Sequence, residues 1–384
     1  MQDVIVVGAG PAGSYASYML AKKGFIVTQL EEHREVGKPV ECTGLVSKRV
    51  LSFVNTKSII NTFHGAHVYF PNEGMISISK AEETIELERD EFDKDVSGLA
   101  TGAGVNLLVN AKALKITRNS DGVNVILRHD GNVEEISARA IIGADGANSI
   151  VRKDLFGKRI GRVASAYQVE SADAMEDQDN VNVYLGSKIT KGYFGWATPA
   201  GDTSRIGTAS IGGTSKSYFQ ELHRRFRNNK ILSITGGPIP ISTLKKTYGN
   251  RTILVGDAAG IVKPLSGGGI YTGILSGSKA ARTLEIALEN DNLSESFLSQ
   301  YEKMWKSEIG RELKVDLIIQ KLFSKITDYS FNKLYEVISK EENMRVINRV
   351  GDIDFPSRVV ASLLLRNPTI ASHILFPRNK NSVT

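Results

Sequence analysis

Gly8, Gly10 and Gly13 are spaced as G-x-G-x-x-G, with Ala12 inside the same turn, and an acid, Glu31, follows at the distance a dinucleotide fold requires. Gly8 permits a tight turn, Gly10 lets a pyrophosphate approach the backbone, and Gly13 allows close packing of helix on strand. The amide groups and partial positive charge at a helix N-terminus suit a diphosphate. Glu31 can accept hydrogen bonds from ribose hydroxyls; Glu32 is its neighbour, but Glu31 directly follows the apolar run. The single thiol, Cys42, excludes an intrachain disulfide or a cysteine-rich zinc site. His64 and His67 stand at i, i+3, but Val68-Tyr69-Phe70 reads as a strand, where such residues face opposite sides, so no metal site is expected. No Ser/His/Asp arrangement stands out.

The elements that would position these residues follow in order. Val4 to Val7 form an apolar, β-branched run suited to a strand buried on both faces, Ser14 to Lys23 carry a helical pattern, and Phe25 to Leu30 form a second strand. Further along, Ile141 to Ser149 resembles the Asp-Gly motif of glutathione-reductase-type flavoproteins related to the aromatic hydroxylases, which implies cofactor contacts from Asp145 and Gly146. Thr252 to Gly260 resembles the segment in which such enzymes bind the FAD ribityl chain, here through Asp257. Gly267-Gly268-Gly269-Ile270 opens a helix rich in small residues; Gly269 and Ile270 suit close approach to a flavin ring. Arg89 matches the R-x-x-F-D pattern whose arginine lies near the cofactor, with an ion-paired arginine at a helix start as the lesser alternative. Ala113 falls where the backbone usually meets adenine. These segments, in this order, point to FAD rather than NAD.

Gly37 to Ser47 resembles the P-V-x-C-x-G-(x)-L-S loop of geranylgeranyl reductases, flavoenzymes that saturate isoprenoid double bonds. The resemblance implies that Cys42, Thr43 and Gly44 lie beside the isoalloxazine ring, with Cys42 as catalytic proton donor or pocket wall. From the residues alone a lone cysteine reads as a small buried hydrophobe. The family's Y-x-W-x-F-P stretch is altered at Tyr193 to Pro199: Phe194 takes the tyrosine place, Thr198 the phenylalanine place, and Trp196 and Pro199 are retained. Tyr193, Phe194, Trp196 and Pro199 are the expected substrate-pocket residues, against ordinary core packing. The implied activity is hydride transfer from flavin N5 to carbon–carbon double bonds of a geranylgeranyl lipid or lipid precursor. With no second G-x-G-x-x-G unit, the electron donor is expected to be a transiently docked NAD(P)H or an external carrier such as ferredoxin. A monooxygenase or halogenase working through a flavin peroxide is the alternative, since flavin-dependent halogenases carry a comparable W-x-W-x-I-P stretch. A flavin-bearing electron carrier without turnover is a third reading.

The expected fold is α/β and α+β: a glutathione-reductase-type Rossmann FAD domain (1–60, 86–155 and 249–290), an antiparallel-sheet substrate domain (61–85 and 156–248) and a helical region over 291–384. The chain of 384 residues is 41% hydrophobic with a net charge of +6, ordinary for a soluble protein and far from a nucleic-acid signature. The basic stretch His223 to Arg227 reads as a solvated helix face. The apolar run at Val4 turns to glycines by Gly8, which does not suit a secretory signal, and no stretch of about 18 apolar residues spans a bilayer. A cytoplasmic protein with possible peripheral membrane contact is expected. The apolar tail, Val359 to Leu365 and Ile374 to Pro377, packs on the core or dips into a lipid leaflet. The oligomeric state is open.

Overall fold

The computed structural model describes residues 2–226 and 230–368, so Arg227 and the segment Ile374 to Pro377 lie outside the described residues. Two sheets share the molecule. In the first, Thr252–Leu254, Asn132–Gly143, Gln2–Val7, Val27–Leu30 and Asn106–Leu108 lie side by side in that order and run parallel. Val4 to Val6 are fully buried, which is why their run is continuously apolar. Asn132–Gly143 changes partners along its length. Its first half pairs antiparallel with Val123–His129, which pairs with Ala111–Arg118, and its last residues pair parallel with Gln2–Val7.

The helix Pro11–Ala21 packs against the long helix Ile270–Glu289. A side chain at Gly277 would come within 2.4 Å of the Ala12 carbonyl oxygen. The small residues of the long helix therefore serve helix-on-helix contact as well as the glycine turn that precedes it.

The second sheet runs Ile231–Thr235, Val163–Ser171, Thr203–Ile211, Gly195–Ala200, Asn180–Tyr184, Ile59–Tyr69, Met75–Leu87, Leu45–Ser47. It departs from the expected antiparallel pattern at one place: Asn180–Tyr184 lies parallel to Ile59–Tyr69. A parallel pair needs a long crossover, and the excursion of the chain through the first sheet between these strands supplies it. Leu45–Ser47, just after Cys42, pairs with Met75–Leu87, so the cysteine loop runs from one sheet into the other.

The C-terminal helices Asp328–Ile338, Glu341–Val350 and Ser357–Arg366 pack on the second sheet through Phe70, Ile76, Phe331, Leu334, Ile347 and Leu363. Among the described residues no helix is long and apolar enough to cross a membrane.

Candidate active site

The nucleotide end is built by backbone crowding. Gly8 has a φ of +103°, and a side chain there would lie 2.3 Å from the Ala144 carbonyl oxygen. A side chain at Gly13 would lie 2.2 Å from the oxygen of Gly8. Gly10 differs: no atom lies within 4 Å of the position a Cβ would take, and the residue borders a cavity of about 1160 Å³. Its missing side chain leaves room for a ligand rather than for protein packing. Glu31, at the end of Val27–Leu30, accepts from the Ala9 amide at 2.9 Å through Oε2 and from the His33 amide at 3.0 Å through Oε1. Ala12, Glu31, Ala113, Asp145 and Gly146 line the same cavity.

Asp145 caps the helix Ile150–Phe156, its Oδ2 accepting from the amides of Ile150 (2.6 Å) and Val151 (3.1 Å). Its other oxygen is buried without a protein partner, and burial raises its pKa. Asp257 follows Thr252–Leu254 on the turn Gly256–Ala259, and burial pushes it up to about 6 against the pull of Arg89 and Arg152. Arg152 holds these loops together by donating to the carbonyls of Ala147 (2.5 Å) and Ala258 (2.8 Å). Gly269 caps the long helix, and a Cβ on it would lie 2.9 Å from Asp257 Oδ1. Gly267, at φ +76°, makes room for the Tyr193 hydroxyl, 2.8 Å from where its Cβ would be. The open glycine, the orphaned Asp145 oxygen and half-buried Asp257 fit the diphosphate and ribityl parts of FAD.

The cysteine loop forms the middle of the cavity. The Gly44 amide donates to Cys42 Sγ at 3.3 Å. Gly44, at φ +87°, leaves no space for a side chain, which would lie 2.4 Å from the Leu87 oxygen. Arg89 is ion-paired and borders the cavity. It opens the helix Arg89–Gly102 and forks onto Asp93 (3.2 and 2.9 Å), and it also lines the cavity beside Cys42. Burial works against its charge, but Asp93 and Cys42 raise its pKa.

Across from the loop stand Tyr193, Phe194 and Trp196. The first two rings stack at 4.8 Å, and Phe194 meets Trp196 edge-on at 6.1 Å. The indole lies against Gly207 on the next strand, where a Cβ would lie 2.4 Å from the ring. Pro199 does not line the cavity. Successive strand residues face opposite sides, so Trp196 and Thr198 point inward while Ala197 packs against Phe219 and Leu222 on the other face, the side Pro199 shares. Gly13, Gly44 and Pro199 thus act through packing; the other expected positions meet at one cavity. His67 is held by Asp177 (2.8 Å) and Ser77 (2.9 Å), and His64 lines the cavity. Among the described residues no cluster of three or more His, Cys, Asp or Glu could hold a metal ion.

Several site residues carry no local motif. Gln168 Oε1 accepts from both Thr43 Oγ1 and Trp196 Nε1, each at 2.9 Å, which joins the cysteine loop to the aromatic wall. Arg205 donates to the Thr43 carbonyl and pairs with Glu86 (3.2 Å) and Glu88 (3.1 Å). Buried Lys263, beside Gly268, pairs with Asp354 at 2.8 Å, and Arg49 forks onto Asp352 at 2.9 Å through both nitrogens. Burial would raise the pKa of Asp354, but Lys263 and its hydrogen bonds hold it down. These ties seat Asp352 to Val360 against the cavity, and Val359 and Val360, from the apolar tail, form part of its wall. No local pattern in the sequence marks these residues: Arg205 sits in a strand of mostly small and polar residues, and Lys263 lies in a loop.

A family model described as FAD binding domain matches residues 1–307. A protein of Methanocaldococcus jannaschii, MJ1520, is 32% identical over 92% of this chain and 92% of its own. The digeranylgeranylglycerophospholipid reductase of Thermoplasma volcanium is 31% identical over 88% of this chain and 92% of its own. The crystal structure of a geranylgeranyl bacteriochlorophyll reductase-like protein from Thermoplasma acidophilum matches with a TM-score of 0.88 and 26% identity, over 97% of this chain and 98% of the other.

Proposed function

The chain belongs to the geranylgeranyl reductase family of FAD-dependent oxidoreductases, and we propose that it saturates carbon–carbon double bonds in the geranylgeranyl chains of a membrane lipid or its precursor. One observation carries this reading: a single cavity is lined by the Gly10 turn, the Cys42 loop and the aromatic wall, and also by the apolar side chains of Ala66, Ile78, Val181, Val183, Ile347, Val359 and Val360. An isoprenoid is the kind of chain such side chains suit.

Bound FAD, once reduced, supplies the hydride from N5. The protein's own part is to orient the alkene, exclude water and provide a proton. Phe194, Trp196 and these apolar side chains hold the chain. Cys42 holds the proton at Sγ: as the hydride makes one new C–H bond, the S–H bond breaks to make the other, and the thiolate regains a proton from solvent. The Gly44 amide donates to that sulfur at 3.3 Å, and Arg89 lines the cavity with it. Electrons come from transiently docked NAD(P)H or an external carrier such as ferredoxin.

The test is anaerobic. The protein is reduced with dithionite and a geranylgeranyl lipid is added. Flavin reoxidation with a product heavier by two hydrogens per saturated bond is the expected result. Reoxidation only on admitting oxygen, with an oxygenated or halogenated product, would establish the flavin-peroxide alternative instead.

A further inference from the structure

Thr43, Gln168 and Trp196 come from the cysteine loop and two strands of the second sheet, and one oxygen atom joins them. Gln168 stands opposite Gly207, which stands opposite Trp196, so these three form a row across neighbouring strands. The middle position has no side chain. A Cβ on Gly207 would lie 2.9 Å from the indole nitrogen, so the glycine is what lets the indole cross the strand and reach Gln168. An indole N–H can only donate. Gln168 must therefore turn Oε1 toward it, and the same oxygen accepts from Thr43 Oγ1. The indole thus settles which way round the amide sits.

The amide nitrogen is left over. Among the described residues Nε2 has no hydrogen-bond partner, although Gln168 is only 7% exposed and borders the cavity. A buried amide with two unused N–H groups carries a desolvation cost that a bound acceptor removes. The two bonds into Oε1 also polarise those N–H groups and make them stronger donors. An isoprenoid chain offers them no acceptor. The flavin ring offers two carbonyl oxygens, which accept in both redox states, whereas N5 gains a hydrogen when flavin is reduced.

We propose that Gln168 contacts the cofactor: its amide donates to a carbonyl oxygen of the isoalloxazine ring, seats the ring against the Cys42 loop and favours the reduced flavin. Reduction adds negative charge to the ring carbonyls, and a donor already fixed by Trp196 meets that charge without reorganising. This rests on FAD lying along the Cys42 loop, part of the proposed function, but not on the identity of the substrate.

The test is nuclear magnetic resonance of the holoenzyme carrying FAD labelled with carbon-13 at both ring carbonyls. No lipid is present, so failure of the reductase reading would leave the result standing. Gln168→Met keeps the length of the side chain and removes both polar atoms. Gln168→Glu, with its carboxyl ionised, keeps an oxygen for Thr43 and Trp196 and removes the N–H groups. Both variants are expected to move one carbonyl resonance upfield, leave the other in place and make the midpoint potential more negative. If Gln168→Met does not hold FAD, Gln168→Glu carries the test alone. Were Gln168 only a tie between Thr43 and Trp196, Gln168→Glu would keep the wild-type resonances, and the proposal would fall. It would fall too if both resonances moved together, since that marks a general change of surroundings rather than one lost bond. Wild-type resonances in Gln168→Met, with weaker binding of a geranylgeranyl phospholipid, would assign the N–H groups to a lipid head group instead and overturn it.

Discussion

Arg205, on the second sheet, donates from Nη1 to the carbonyl oxygen of Thr43 across 2.9 Å, so the loop that carries Cys42 is held by the sheet opposite it. The same guanidinium is the ion-pair partner of Glu86, and the two are 4% and 0% exposed. Burial already pushes Glu86 up to about 8 against the pull of Arg205, so removing the guanidinium leaves a buried carboxyl without its partner and the Thr43 carbonyl without its donor. Arg205→Met is therefore expected to cost about 3–5 kcal/mol in chemical denaturation. Adding Glu86→Gln to that variant should recover part of the loss, because no buried ionisable group then remains at the site. A single variant as stable as wild type would show that the pair does not hold the loop.

Gly10 and Gly13 belong to one motif and should fail in different ways. Gly13→Ala pushes a methyl group against the Gly8 oxygen, 2.2 Å from the new Cβ, and should lower the melting temperature of the apoprotein. Gly10→Ala meets no protein atom within 4 Å. Its apoprotein should melt as wild type does while FAD affinity falls, as read by retained flavin absorbance after gel filtration. Equal melting losses in both variants would mean that Gly10 serves packing too.

The nucleotide end was readable in the sequence because its signals are local: glycine spacing, a β-branched run and an acid at a set distance. The Cys42 loop was readable for the same reason. What could not be read is held by pairs far apart in the chain. Nothing near Lys263 announces Asp354, and nothing near Thr43 announces Gln168 or Arg205. Pro199 was misplaced because a motif read as a unit conceals the two-residue period of the strand it occupies, the rule that separates His64 from His67. The parallel pairing of Asn180–Tyr184 with Ile59–Tyr69 escaped because alternation tells which residues face inward but not which strand lies beside them.

Asp316 predicts a pH dependence of stability. It has no exposed surface, and neither carboxylate oxygen has a hydrogen-bond partner of ordinary geometry, although it faces the Leu265 amide. Burial, reinforced by Glu312 and opposed by Lys263, pushes it up to about 7; Tyr193 is its other titratable neighbour. A carboxyl whose pKa is higher folded than unfolded takes up a proton on folding. Its contribution is full below the unfolded value of 3.8 and is lost as pH rises through about 7. Between those limits it adds a slope of up to ~1.4 kcal/mol per pH unit. Asp316→Asn should flatten that part of the stability curve measured by urea denaturation. A variant curve parallel to wild type would show that Asp316 is ionised in the fold.

Cys42 offers the sharpest test of the proton's origin. Its sulfur accepts from the Gly44 amide at 3.3 Å, and Arg89 lines the cavity with it. Cys42→Ala removes the donor but leaves the Thr43 hydrogen bonds to Gln168 and Arg205, so the loop should keep its place and FAD should stay bound. If the thiol acts as general acid, single-turnover reoxidation of reduced flavin by the lipid should slow by about 10²–10⁴-fold. Cys42→Ser, which keeps a weaker acid at the same position, should fall between alanine and wild type. The solvent isotope effect should change with it, because the proton then leaves from oxygen rather than sulfur. An alanine variant with unchanged rate and unchanged isotope effect would assign the proton to solvent and leave Cys42 as part of the pocket wall.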